Sequence, residues 1–410
     1  MTVASMFDTD DLIAPEVIAE PYRYFGHLRE IDPVHWNPIA KKWVVTRHSD
    51  VVWVFRNHHL FSSAPSPGPI DPREIYPPLD EVDGKMVEDF NTFRSFFQFD
   101  RPEHLAMRQT VHRWFTPKAV EKWRAELQAK AQELIDSHGS AGTMEVNRDF
   151  AAPLTLMTIR WMFDVPPADA PRLRDLAVTI NHESEGVRPD RGRVTSAATR
   201  ELVDYFSPLV DSRAKHPGED LISMLVAGER RGVFTRDQCV ANVLLLIIAG
   251  QGLTPALISN GVQAFICNPM QWDLLRNDPD SMCAPATEEC LRYDAPSKIL
   301  GTRVGTQDVE LGGKSLRAGD EVFVVGASAN RDPRVFSDPD TFDITRSPNP
   351  HVAFGVGIHY CVGAALARVE SQEAFKALAE NCRRLHLLGE NVEYAPSHTL
   401  RMVRALRVSW

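Results

Sequence analysis

The run Phe354-Gly355-Val356-Gly357-Ile358-His359-Tyr360-Cys361-Val362-Gly363 delivers a single thiol behind a loop punctuated by glycines. Gly355 and Gly357 permit backbone conformations that residues with a Cβ resist, so the chain can fold tightly beneath a flat ligand. Ala364, Ala365, Leu366, Ala367 and Arg368 follow, all strong helix formers. Cys361 is therefore expected near a helix N-terminus, where unpaired N–H groups and the positive end of the dipole favour a thiolate. Such a cysteine is either buried filler or a metal ligand. As a ligand, its thiolate would suit the axial position of a haem iron, where it pushes electron density toward bond-breaking oxygen chemistry.

The pattern Phe354-Gly-x-Gly-x-His359-x-Cys361-x-Gly363, continued by Leu366-Ala367-Arg368, resembles the cysteine-loop signature of the cytochromes P450. The resemblance implies haem b as cofactor, Cys361 as its metal ligand and Phe354 packed beside the sulfur. It extends to Glu289-x-x-Arg292, a buried ion pair completed in that family by an arginine ahead of the loop, here Arg346. It also implies that His104, Arg108, Arg303 and His351 hold the haem propionates. His104 and Arg108 are four residues apart and share one helical face. By the same resemblance, the segment ahead of that helix covers the substrate pocket. The phenylalanine cluster Phe90, Phe93, Phe96, Phe97 and Phe99 is then expected to wall it, with Phe93, Phe96, Phe97 and Ala249 touching substrate.

One stretch departs from the family pattern. On the central helix the P450s carry an acid followed by an alcohol, which relay protons during oxygen activation. This sequence reads Ala249-Gly250-Gln251-Gly252-Leu253-Thr254-Pro255. Its distance to Glu289 puts Gly252 in the acid position and Leu253 in the alcohol position. Slipping by one residue recruits Thr254 but leaves Leu253 as the acid, so neither register restores the pair. Gln251 is then the nearest group able both to donate and to accept. Gly250, Gly252 and Pro255 also suggest a local bulge that admits water. This constellation implies a peroxygenase-like member, because hydrogen peroxide brings both protons and both electrons with it. Dioxygen with a ferredoxin and ferredoxin reductase is the ordinary family alternative.

The elements that position these groups are mostly helical. Residues 15–31 have helical spacing; Val34-His35-Trp36 and Trp43 to Thr46 flank a turn as a β-hairpin; a helix runs from about Asp50 to Asn57. Phe61 to Ser63 and the proline-rich 65–78 read as loop. Helices follow from Asp100, over 123–137, 150–163 and 168–181, with a charged break at 182–193 expected as the mobile loop over the substrate entrance. Thr235-Arg-Asp-Gln238 is a capping box opening a long apolar helix to Cys267, halted by Asn268-Pro269. Residues 284–293 are helical, and 303–325 are strand-rich. The expected fold is mainly α with a minor β lobe, the cytochrome P450 fold. It is read as one domain over 1–410 with the small lobe drawn mainly from 30–60 and 300–325.

Composition narrows the partners. The chain has 410 residues, 43% of them hydrophobic, enough for a large core. A net charge of −10 argues against nucleic acid. Six cysteines without paired spacing do not form a disulfide or zinc framework, so Cys239, Cys267, Cys283, Cys290 and Cys382 read as reduced and structural. The acidic start lacks an apolar anchor, and the apolar run Val243 to Ala249 is too short to span a bilayer. A cytoplasmic protein without a membrane partner is expected. The activity expected is oxygen insertion into a small hydrophobic, aromatic substrate, by hydroxylation or oxidative O-demethylation. The alternatives are a biosynthetic P450 that couples radicals or closes rings, a non-catalytic haem sensor, and an electron-transfer haem protein.

Overall fold

The computed structural model describes residues 10–64, 88, 92–184, 190–389 and 392–410. Phe90, the proline-rich 65–78 and the centre of the 182–193 break lie outside the described residues.

The central helix, Arg236–Cys267, organises the rest. Its start is written in Thr235 and Gln238: the threonine hydroxyl accepts from Gln238 N at 3.2 Å, and Gln238 Oε1 accepts from Thr235 N at 2.8 Å. Pro269 begins the following helix, Pro269–Asn277, and ends this one. Most of its side chains are buried, so a helix long and apolar enough to cross a membrane serves here as a core strut. The apolar stretch is thus longer than the Val243 to Ala249 run alone. The expected bulge is absent: the helix continues unbroken through Gly250, Gly252 and Pro255. Neighbouring packing holds the backbone there, although Pro255 has no N–H to give Gln251 O.

Around this strut pack helices Glu103–His112, Arg124–Gly139, Ala152–Phe163, Ala170–Ser184, Arg191–Lys215, Leu221–Arg230, Pro279–Tyr293 and Ala364–Asn381. Together they share one large hydrophobic core. A π-type turn, Val146–Ala151, leads into Ala152–Phe163. The 182–193 break is narrower than its composition suggests, because Ala170–Ser184 and Arg191–Lys215 extend into it from either side.

The minor lobe holds a five-stranded sheet of β1 (Val34–Asn37), β2 (Lys42–Val45), β3 (Phe61–Ser62), β4 (Ile299–Gly305) and β5 (Glu321–Val325), in the order β1-β2-β5-β4-β3. β1 and β2 pair as the expected hairpin, with Trp36 opposite Trp43. Phe61–Ser62, expected as loop, is a short strand on Val304 and Gly305. Two residues carry too little alternation to announce a strand, and the pairing partner lies far along the chain. Two small cores flank this sheet, one beneath each face.

Candidate active site

The cysteine loop takes the conformation its glycines allow. Gly355 and Gly357 have φ of 69° and 76°, and a Cβ on Gly357 would stand 2.8 Å from Phe55 O. Cys361 N donates to Phe354 O at 2.8 Å, closing the loop over the phenylalanine ring. Gly363 then caps the helix Ala364–Asn381. Burial pushes the Cys361 thiol up, while the N–H groups of Gly363 and Ala364 and the charges of Arg108 and Arg368 pull it down. Burial wins, so the helix start alone does not keep a free thiolate; a bound metal would deprotonate it outright.

Cys361 faces a cavity of about 370 Å³. On the cysteine side lie Phe354, Gly355, Val362, Gly363 and Leu366; on the opposite side Leu245, Leu246, Ala249, Leu253, Thr254 and Leu257 come from the central helix. Phe96 and Phe97 line it, as expected. Phe93 does not, since it packs against the main core instead. Phe55 and Phe115, with no local signal in the sequence, do.

One end of the cavity gathers His104, Arg108, Arg303 and His359. The rings of His104 and His359 stand 4.1 Å apart, and neither ring nitrogen of either makes a hydrogen bond among the described residues. Burial and then neighbouring cations hold His104 near about 4; burial, His104 and Arg303 hold His359 near about 2. Arg303 is pushed down by burial to about 10, its guanidinium between the rings of Phe55 and Phe97. Buried, unpartnered nitrogens beside two arginines describe a receptor for an anion. A thiol lining a mostly apolar chamber, with an anion receptor at its edge, fits a haem with its carboxylates.

His351 is not part of that receptor. Its Nε2 lies 3.0 Å from Glu288 Oε2, and Arg368 binds the same carboxylate at 2.7 and 2.9 Å. Burial raises Glu288, but these hydrogen bonds outweigh it and hold the group near about 2. His351 therefore braces the loop from behind, and His359, within the motif itself, takes the place at the cavity edge.

The Glu289–Arg292 pair is buried, both side chains 0% exposed, with contacts of 2.7 and 2.8 Å. Arg346 Nε stands 3.3 Å from Glu289 Oε2. Arg292 also donates to Asn330 O, Pro339 O and Thr341 O, tying this pair to the segment that leads into the loop. Full burial with every donor used makes it a structural clamp.

The relay positions are rearranged. Gln251 turns away from the cavity: its Nε2 donates to Thr155 O at 3.2 Å, and its Oε1 makes no hydrogen bond among the described residues. It cannot act on a ligand there. Gly252 also faces away, toward Asn181 on Ala170–Ser184. A Cβ at Gly252 would meet Asn181 Nδ2 at 2.5 Å, and that amide donates to Ile248 O at 2.5 Å. The space vacated by the acid is filled by an amide from another helix. Leu253 and Thr254 face the cavity. So do Thr158 and Glu370, which the linear sequence did not single out. The only available signal was a charged residue on the stripe Gly363, Leu366, Ala367, Glu370.

The geometry defines the class first: a haem-thiolate site inside a helical fold with a small β lobe. The comparisons carry it to the family. The profile of "Cytochrome P450" matches residues 285–394. The chain is 31% identical over 413 residues to the biotin biosynthesis cytochrome P450 of Bacillus subtilis, spanning 100% of both chains. It is 32% identical over 383 residues to a steroid C26-monooxygenase of Mycolicibacterium smegmatis, covering 90% of this chain and 86% of that one. The crystal structure of P450BioI in complex with hexadec-9Z-enoic acid ligated acyl carrier protein superposes with a TM-score of 0.87 at 30% identity, covering 96% of this chain and 99% of that one. This chain belongs to the cytochrome P450 family, and its cofactor is haem b.

Proposed function

We propose that this protein is a cytoplasmic monooxygenase that inserts one oxygen atom into a compact apolar substrate. The observation that carries the reading is the cavity of about 370 Å³ in which Cys361 opposes the apolar face of the central helix. Bound there, haem b supplies the oxidising chemistry, with Cys361 as its ligand and His104, Arg108, Arg303 and His359 holding its carboxylates. Phe354 shields the sulfur, the guanidinium of Arg368 lying 4.6 Å from its ring centroid.

The substrate side is more aliphatic than the phenylalanine cluster implied. Phe97 and Phe55 stack against Arg303, leaving Phe96 and Phe115 as aromatic surface beside Leu245, Leu246, Leu253, Leu257 and Leu300. A small aromatic substrate and O-demethylation fit Phe96 and Phe115. The relatives named for a steroid and found with a fatty acyl carrier protein lend weight to aliphatic ligands. A spin-state titration with methoxylated aromatics, fatty acids and terpenes decides the class, and the expected winner is a compact apolar ligand. If none of the three shifts the spectrum, the substrate reading falls.

Hydrogen peroxide is the second reading for the oxidant. It is favoured by Leu253, an apolar side chain facing the cavity where the family places an alcohol. Product formed per oxidant consumed, with peroxide and with dioxygen plus a ferredoxin and its reductase, separates the two. Efficient dioxygen coupling with no peroxide turnover would remove the peroxygenase reading, and failure of both would leave a binding protein.

A further inference from the structure

We propose that Gly326 is a socket for Leu300 and in this way sets the width of the substrate chamber. The proposal rests on the oxygenase reading and adds a specificity-determining position to it. Gly326 follows β5 directly and opens the short helix Gly326–Ala329. Leu300, on β4, lines the chamber that Cys361 faces, and Gly326 stands behind it.

The register of the sheet brings the two together. Ile299 pairs with Val325 and Thr302 with Phe323, so β4 carries one residue more than β5 across this stretch. Gly301 absorbs the extra residue at a φ of 131°, which residues with a side chain rarely adopt. A bulge of this kind re-aims the side chains beside it. Ile299 stays in the small core on one face of the sheet, with Phe323 and Val325. Leu300 packs against the other small core and borders the cavity.

Gly326 is a glycine for room, not for backbone freedom. Its φ is not positive, so alanine would adopt the same conformation and would favour the helix. A Cβ at this position, however, would stand 2.5 Å from Leu300 Cδ1, 2.6 Å from its Cγ and 3.1 Å from its Cδ2. The branch point itself lies inside contact, so turning the methyl groups does not clear it. Regaining ordinary carbon–carbon contact, about 3.5 Å, requires the side chain to retreat by about 1 Å. The backbone behind Leu300 is pinned against that movement. Lys298 N and Ile299 N donate to Thr399 O at 2.7 and 3.3 Å, Lys298 Nζ donates to Ser397 O at 2.7 Å, and Ala327 N donates to Lys298 O at 3.1 Å. With a close-packed core on its other side, Leu300 yields into the chamber. A larger residue at 326 therefore narrows the chamber without touching the ligand, which makes Gly326 a positioning residue.

The test uses haem-loaded parent, Gly326→Ala, Leu300→Ala and the double variant, with imidazole and 4-phenylimidazole as probes. Both azoles bind haem iron through nitrogen from the chamber side, and the Soret shift reads their Kd whatever the natural substrate is. Gly326→Ala should weaken 4-phenylimidazole about 10-fold and leave imidazole within about 2-fold of the parent. Leu300→Ala removes the crowding, so the double variant should bind both probes as Leu300→Ala does. The reduced carbon-monoxide spectrum of each sample separates the two failures. A thiolate-type spectrum with both azoles affected equally in Gly326→Ala, or not at all, overturns the socket and leaves the oxygenase. A double variant that stays weak toward 4-phenylimidazole, or fails to fold together with Gly326→Ala, shows that Leu300 is not the obstacle and overturns the socket too. A parent without the thiolate-type band overturns the oxygenase reading, and the chamber width with it.

Discussion

Gly252→Ala is expected to destabilise this protein, although replacing glycine by alanine inside a helix ordinarily gains about 1 kcal/mol. The new Cβ would lie 2.5 Å from Asn181 Nδ2, 3.0 Å from its Cγ and 3.3 Å from its Cβ. The clash reaches past the amide end to the root of the side chain, so a small rotation does not relieve it. Asn181 is 9% exposed and must give up its bond to Ile248 O as it moves. Loss of that bond costs about 1 kcal/mol, and overpacking a close-packed site costs about 1–3 kcal/mol. Set against the helix gain, the net loss is about 1–3 kcal/mol. The assay is urea unfolding of the parent, Gly252→Ala, Asn181→Ala and the double variant. Since Asn181→Ala removes the obstacle and the bond together, the double variant should recover both terms, a coupling energy of about 2–4 kcal/mol. Additive single effects, or a Gly252→Ala protein as stable as the parent, would refute the reasoning. The same geometry explains why Gly252→Glu alone should not rebuild the family's acid: Asn181 occupies the room it needs.

Three further outcomes follow from the site. Arg303→Ala and His359→Phe each remove a donor to the haem carboxylates, a charge-assisted bond of about 1.5–3 kcal/mol, so haem affinity should fall about 10- to 100-fold by apoprotein titration. His351→Gln should leave affinity near the parent value, and a drop matching Arg303→Ala would contradict the placement of His351 behind the loop. Glu289→Gln strands Arg292 in the interior and should cost about 3–5 kcal/mol in urea unfolding; a loss below about 1 kcal/mol would deny the clamp. Glu370 titrates near about 8 folded and near about 4 unfolded, so the folded state retains a proton that the unfolded state has released. Stability should therefore fall as pH rises through that window and level off above it, and Glu370→Gln should flatten the profile by up to about 5 kcal/mol. Matching pH profiles for parent and variant would remove the raised pKa.

What the sequence disclosed was local or periodic. The cysteine loop was legible because glycines, cysteine and following helix formers lie in one run, and the positive φ of Gly355 and Gly357 is a conformation that glycine adopts readily. The long helix was legible from Thr235 and Gln238 at its start, Asn268-Pro269 at its end, and apolar residues between. Glu289 and Arg292 share a helix turn, so their pairing needed no tertiary information. The misplaced residues all depended on which way a side chain turns. His351 and His359 sit in the same segment, and only the turn Gly357–His359 decides which ring reaches the cavity edge. Gln251 stood one position from the relay slots, yet helical geometry sends it to Thr155. Asn181, Thr158 and Glu370 come from three separate helices and meet the central helix only in the folded chain, so no spacing rule could have assembled them. Phe93 and Phe97 show the same limit, one spent on the core and the other on Arg303.

The ligand identity of Cys361 bears most directly on the whole account. The measurement is the reduced carbon-monoxide difference spectrum of the haem-reconstituted parent and of Cys361→Ala. The parent should give the red-shifted Soret band of a thiolate ligand, and Cys361→Ala should lose that band while still taking up haem through His104, Arg108, Arg303 and His359. A thiolate-type band that persists in Cys361→Ala, or a parent that binds haem without it, would contradict the assignment.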